Sequence, residues 1–202
     1  MCCRYYTEES PELRPFVEAM NRSPLTARWQ KKTKVSTYGE IRPGDVAAVI
    51  APDRSGQQAV FPMKWGFSAK TLLFNARSET AAAKPLFRES WARRRCVIPA
   101  SWYYEWEHLA DPSGRTKTGA RYLLQPRGCT VSWLAGLYRI EDGLPVFTVL
   151  TREAGGGIRF LHDRMPVLLP EELVGAWIRP DGHPEEILPQ ALTDLYFEKT
   201  GA

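Results

Sequence analysis

Short apolar runs recur along the chain, rich in β-branched and aromatic residues: 46–50 (VAAVI), 96–98 (CVI), 131–138 (VSWLAGLY) and 145–150 (PVFTVL). Turn residues separate them, a pattern that predicts strands. Loop-like stretches fall at 51–58, 110–119, 153–157 and 179–184. Helical spacing is rarer. Residues 11–20 (PELRPFVEAM) follow Ser10 as an N-cap, with Pro11 at the first position, and Pro15 shifts the start later or bends the helix. Residues 84–94 place Leu86, Phe87 and Trp91 at helical spacing, and 170–177 and 192–199 predict two further short helices. Short helices around many strands predict an α+β fold with a mostly antiparallel, barrel-like core. No repeat, low-complexity tract or long linker interrupts the chain, so a single domain over 1–202 is expected.

Composition narrows the class. A hydrophobic content of 44% over 202 residues supplies a sizeable core and excludes a disordered chain. No apolar run approaches the ~18 residues of a membrane span. Residues 1–15 carry Arg4, Glu8, Glu9, Glu12 and Arg14 with no apolar stretch after them, so a cytosolic protein without a secretory signal is expected. Net charge is +4, unevenly spread: residues 1–100 hold 17 basic and 9 acidic side chains, the remainder 10 and 14. A basic half is compatible with a polyanionic partner and equally with a solvated face.

Cys2 carries the most chemistry. Removal of Met1 would make it an N-terminal 1,2-aminothiol, with an α-amine pKa near ~8 and a thiol near ~8.5. The amine condenses with an aldehyde to a Schiff base, and the thiol then closes a five-membered thiazolidine on the same carbon. The second attack is intramolecular and gains a large effective concentration. Taken alone, Cys2 also reads as a small residue opening a strand.

Three segments stand beside it. In Phe74-Asn75-Ala76-Arg77-Ser78-Glu79, alternation sends Asn75 and Arg77 to one face if the segment is extended. Arg77 then offers a fork suited to phosphate; a surface turn is the simpler alternative. In Pro99–Trp106, Glu105 stands among four aromatics, either at a wet strand edge or in a low-dielectric pocket where it moves protons near neutrality. In His162-Asp163-Arg164-Met165-Pro166, His162 is a candidate acid–base and Arg164 a candidate phosphate ligand, or the segment is an ordinary turn. Trp65 in MKWGF reads as a stacking platform or as core. His108 and His183 lie in loop-like sequence and receive no role. No CxxC, HxxxH or HExxH spacing is present, so neither a metal nor a cofactor is expected. Cys96 and Cys129 read as core.

The order Met-Cys-x-Arg, MKWGF, FNARSET, RCVIPASWYYEW, HDRMP resembles the SOS-response-associated peptidase family, or abasic-site processing proteins, from Cys2 to Pro166. The resemblance implies an α+β domain around a barrel-like core with a basic groove. It implies a protein that binds single-stranded DNA containing abasic sites and crosslinks to it through Cys2; separately, a monomer is expected. It further implies self-removal of Met1 and β-elimination (lyase) as a side activity. On this resemblance Cys2 is the nucleophile; Asn75, Glu105 and His162 complete the catalytic set. Arg4, Arg77 and Arg164 match backbone contacts, and Trp65 an aromatic contact beside the lesion. Two positions depart from the family pattern: Cys3 replaces its usual Gly, and Gly39 its usual Asn. Two other readings compete. One is a cysteine peptidase using Cys2, His162 and Glu105; the other is a non-covalent single-stranded DNA-binding module.

Overall fold

The computed structural model describes residues 2–110 and 116–201. Its strands are, in chain order, β1 (Tyr5–Thr7), β2 (Gly39–Ile41), β3 (Val46–Pro52), β4 (Gln58–Trp65), β5 (Asn75–Arg77), β6 (Arg95–Ala100) and β7 (Trp102–Ala110). They continue with β8 (Thr116–Pro126), β9 (Ser132–Glu141), β10 (Leu144–Glu153), β11 (Arg164–Pro166), β12 (Leu168–Leu169) and β13 (Leu195–Lys199). The order β10-β4-β3-β6-β9 closes on itself through a β9–β10 pairing, giving a five-stranded barrel. All its pairings are antiparallel except β10–β4. A second, antiparallel sheet runs β13-β8-β7-β1-β2. The α+β architecture matches the sequence expectation.

The four apolar runs become β3, β6, β9 and β10 because the barrel wall is covered on both faces. Val46, Ile50, Val97, Ala135, Leu137, Val146 and Leu150 point into one apolar cluster with Trp133 and Trp177. Their neighbours Ala47, Val49, Cys96, Ile98, Leu134, Phe147 and Val149 point into another, which contains Cys2, Tyr5 and Trp65. Strands buried on both faces lose the polar half of the usual alternation and read as continuous hydrophobic runs.

Helix Arg14–Arg22 starts after Pro11, with Pro15 in its first turn, where the missing N–H costs nothing. Pro85–Arg93 is helical as expected, and 170–177 becomes a 3₁₀ turn followed by helix Val174–Ile178. Residues 192–199 correct the sequence reading. Leu192, Leu195 and Tyr196 have helical spacing, yet Leu195–Lys199 is an edge strand paired with Tyr122–Pro126 of β8. Pairing there satisfies the open edge of β8, which outweighs a weak local preference. The loop expected at 110–119 falls partly on 111–115, outside the described residues; Thr116 onward is strand. Cys129 is half-buried rather than core, whereas Cys96 is fully buried.

Arg95 ties the helices to the barrel. Its side chain is 1% exposed and donates to the carbonyls of Trp91, Ala92, Trp177, Arg179 and Gly182. These belong to the C-terminal ends of helices Pro85–Arg93 and Val174–Ile178 and the turn that follows, where carbonyls lack partners and carry negative partial charge. Arg95→Leu strands them. Thermal unfolding is expected to show a loss of about 3–5 kcal/mol, roughly a 10 °C fall in midpoint.

Candidate functional site

The site forms where the second sheet meets the barrel. β1 pairs with β7 in the register Tyr5↔Tyr103, and the Tyr104 amide donates to Arg4 O at 2.9 Å. This antiparallel register carries Cys2 and Cys3 alongside Glu105. From the barrel, β5 lies parallel to β10 with Asn75 opposite Val149. Phe74 O accepts from both the Val149 amide (3.0 Å) and the Trp65 indole N–H (2.8 Å), which fixes the backbone just before Asn75. The Asn75 side-chain amide then donates to the Cys2 carbonyl at 2.7 Å. That bond spans the two sheets and anchors residue 2 in place.

Trp65 itself is fully buried, stacked on Phe147 and tilted against Tyr5. Of its two sequence readings, the structure supports core: a ring with no exposed face cannot stack on a base. Its indole N–H is committed to Phe74 O as well. Gly66, at φ +120°, turns the chain sharply after β4 and passes so close to Leu72 that a side chain there would collide with it.

Cys2 is fully buried, and its thiol donates weakly to Arg4 O at 3.7 Å. Burial pushes the thiol well above the ordinary range, and the Glu105 carboxylate pushes it further. The Cys3 thiol is raised by the same two causes in the same order. Tyr5 and Tyr103 place buried hydroxyls in the same field; burial first, then the Cys2 sulfur, raises both. Glu105 is 4% exposed and accepts from the Trp106 amide at 3.3 Å. Its burial excludes the wet strand edge of the sequence reading.

His162 arrives from the loop between β10 and β11. Its ring meets that of His108 edge-on at 4.5 Å, and ligating atoms of Glu105, His108 and His162 all lie within 4.8 Å of one another. Burial holds the His162 imidazole below its ordinary pKa, so it is neutral at pH 7. Cys2, Asn75, Glu105 and His162, from four separated segments, are therefore one constellation. Asn75 and His162 are partly exposed and form its rim.

The arginines divide. Arg77 is exposed at the end of β5 and lines an open cleft of about 340 Å³ with Glu153, Arg159, Asp163 and Arg164. Arg4 binds Glu40 at 3.1 Å, but Arg42 (2.8 Å) and Arg121 (3.5 Å) bind the same carboxylate. Three guanidiniums on one carboxylate leave a surplus of positive charge, flanked by Trp106 under Arg4 and Tyr104 under Arg121. Arg164 differs from its reading as a phosphate ligand. It is 8% exposed, grips Glu79 with both amino groups (2.9 and 2.8 Å) and donates to Thr151 O at 2.7 Å. The same pairing holds the Glu79 carboxyl below its usual range. Arg164 thus clamps the His162 loop to the segment that follows Asn75. Of the two departures, Gly39 opens β2 opposite Thr7 at φ +92°, a conformation suited to glycine.

The fold gathers a buried N-proximal cysteine, a carboxamide, a carboxylate and an imidazole into one cluster of reactive side chains. The sequence profile of the SOS response associated peptidase (SRAP) family matches residues 1–200, and this chain belongs to that family. The abasic site processing protein YoqW of Bacillus subtilis is 35% identical over 125 residues, covering 59% of this chain and 54% of that protein. The chain therefore spans about half the length of that relative. The abasic site processing protein YedK of Escherichia coli is 27% identical over 148 residues, covering 70% of this chain and 64% of that protein. Among solved structures, a phage-related protein of Bordetella bronchiseptica superposes with a TM-score of 0.73 at 25% identity, over 100% of this chain and 95% of that one.

The sequence missed three participants. Tyr5 and Tyr103 look like ordinary strand residues, and only the β1–β7 register brings their hydroxyls near Cys2. His108 sits in a stretch that reads as loop and gains its neighbour from a loop 54 positions downstream.

Proposed function

We propose that this protein processes abasic sites in single-stranded DNA by forming a covalent crosslink through Cys2. The bond from Asn75 to the Cys2 carbonyl carries the reading, because it holds residue 2 beside Glu105 with its amine and thiol side by side. Loss of Met1 frees the Cys2 nitrogen. The ring-opened abasic sugar offers an aldehyde carbon, and the Cys2 amine adds to it. Glu105 accepts a proton from that nitrogen and returns it to the departing hydroxyl, so one water leaves and a Schiff base forms. The Cys2 sulfur then bonds to the same carbon, its proton passes to nitrogen, and a thiazolidine closes. Neutral His162 stands within reach of Glu105 to relay protons. In the same site it would govern the alternative loss of the 3′ phosphate by β-elimination.

The Arg4–Arg42–Arg121 cluster with Trp106 supplies cations and a ring face for the strand on one side, and exposed Arg77 supplies a cation on the other. Incubation with abasic and intact single strands, resolved on a denaturing gel, tests the proposal: a stable shifted band is expected with abasic DNA alone. Equal non-covalent binding to both strands would refute it.

The arginines give a separate prediction. Arg77→Ala should flatten the salt dependence of binding by roughly 0.7 in log–log slope, the share of one phosphate contact on a single strand. Arg164→Lys should lower the crosslinking rate and leave that slope unchanged, because Arg164 holds Glu79 rather than DNA. Titration of affinity against salt for the two variants checks both.

A further inference from the structure

We propose that Glu105, His108 and His162 form a binding site for a divalent metal of the zinc type, and that metal there silences the Cys2 centre. The silencing rests on the function proposed above; the binding does not. Two imidazoles and one carboxylate are the donor set of three-ligand zinc sites that keep a fourth position open. Their ligating atoms already lie within 4.8 Å of one another. Tetrahedral zinc with bonds of ~2.0–2.2 Å needs donors roughly 3.5 Å apart, so about an ångström of closure completes the site. Exposed His108 is free to supply that movement.

Two features of the backbone and surroundings point to a ligand. Glu105 and His108 are three apart on β7, and in a regular strand they would face opposite sides. The β7–β8 register shifts between Trp106 and His108, with the extra residue on β8, and the ligating atoms of Glu105 and His108 nonetheless lie within 4.8 Å of each other. Independently, Nδ1 of His162 lies 2.6 Å from Asp163 Oδ1. A ligating histidine characteristically gives its second ring N–H to a carboxylate, which fixes the tautomer and strengthens the donor. With the proton on Nδ1, the Nε2 lone pair faces the metal. The Arg164 amide donates to Nδ1 at 2.9 Å, so metal binding through Nε2 requires Nδ1 to exchange that bond for one to Asp163.

A metal held there occupies the two groups that move protons during crosslinking. Spacing motifs did not disclose the site because one ligand comes from a different loop and the other two are separated by an irregular register.

The test uses Co²⁺ and Zn²⁺ on the full chain. Visible d–d absorption of Co²⁺ should report a low-symmetry site in the parent and in Cys2→Ser, and it should vanish in His108→Ala. Asp163→Asn should weaken Co²⁺ affinity by ~10–100-fold. Zn²⁺ should suppress crosslinking by the parent, reversibly with chelator, while the crosslinking rate of His108→Ala, whatever its value without metal, should not change on adding Zn²⁺. Absence of Co²⁺ bands in the parent, bands that survive His108→Ala, or bands lost in Cys2→Ser would each overturn the site. If Co²⁺ binds as described and no crosslink forms even without metal, the function proposed above fails and the metal site stands.

Discussion

Cys2→Ser is expected to convert a stable adduct into one that survives only chemical trapping. The variant keeps the α-amine, the Asn75 anchor and the carboxylate of Glu105, so Schiff-base formation continues. It lacks the sulfur that closes the ring. A hydroxyl is a far weaker nucleophile than a thiol, and the ring closure that effective concentrations of up to ~10⁵–10⁸ M drive for sulfur is lost. Adduct surviving on a denaturing gel should fall by roughly a hundredfold or more, while borohydride reduction recovers a band. An unreduced Cys2→Ser adduct as stable as the parent's would remove the thiol from the reaction.

Glu105→Gln is expected to separate two properties that a simple thiolate mechanism would link. The Glu105 charge adds to burial in raising the Cys2 thiol. Removing that anion favours the thiolate, so the Cys2 pKa falls toward its ordinary value while burial still holds it above. Alkylation of Cys2 at a fixed mildly alkaline pH should therefore speed up. Crosslinking should slow by about 10²–10⁴-fold, because the group that carries protons to and from nitrogen and oxygen is gone. Opposite movement of the two rates, followed by iodoacetamide labelling and by gel, identifies Glu105 as a proton carrier. The raised thiol also weighs against the cysteine peptidase reading, since a peptidase nucleophile is activated by a lowered pKa.

The sequence disclosed the barrel better than the sheet beside it. β3, β6, β9 and β10 are apolar on both faces and stand out as runs. β7 and β8 have mixed burial and a shifted register, so the hairpin left little periodic trace, and β13 buries only Leu195 along its length. Of the site, the residue types and their order along the chain were legible; their meeting was not. The Asn75–Cys2 bond spans 73 positions and depends on a parallel β5–β10 pairing that no local pattern encodes. Trp65 and Arg164 show the converse. Both residue types suit DNA contact, but burial and the Glu79 carboxylate commit them to holding the site in shape.

The most direct measurement is the intact mass of the species formed with a single-stranded oligonucleotide carrying one abasic site, with the linked residue mapped by fragmentation. The account predicts the chain without Met1 plus the oligonucleotide minus one water, joined at Cys2. A covalent species that retains Met1, or one joined through any other residue, would contradict it.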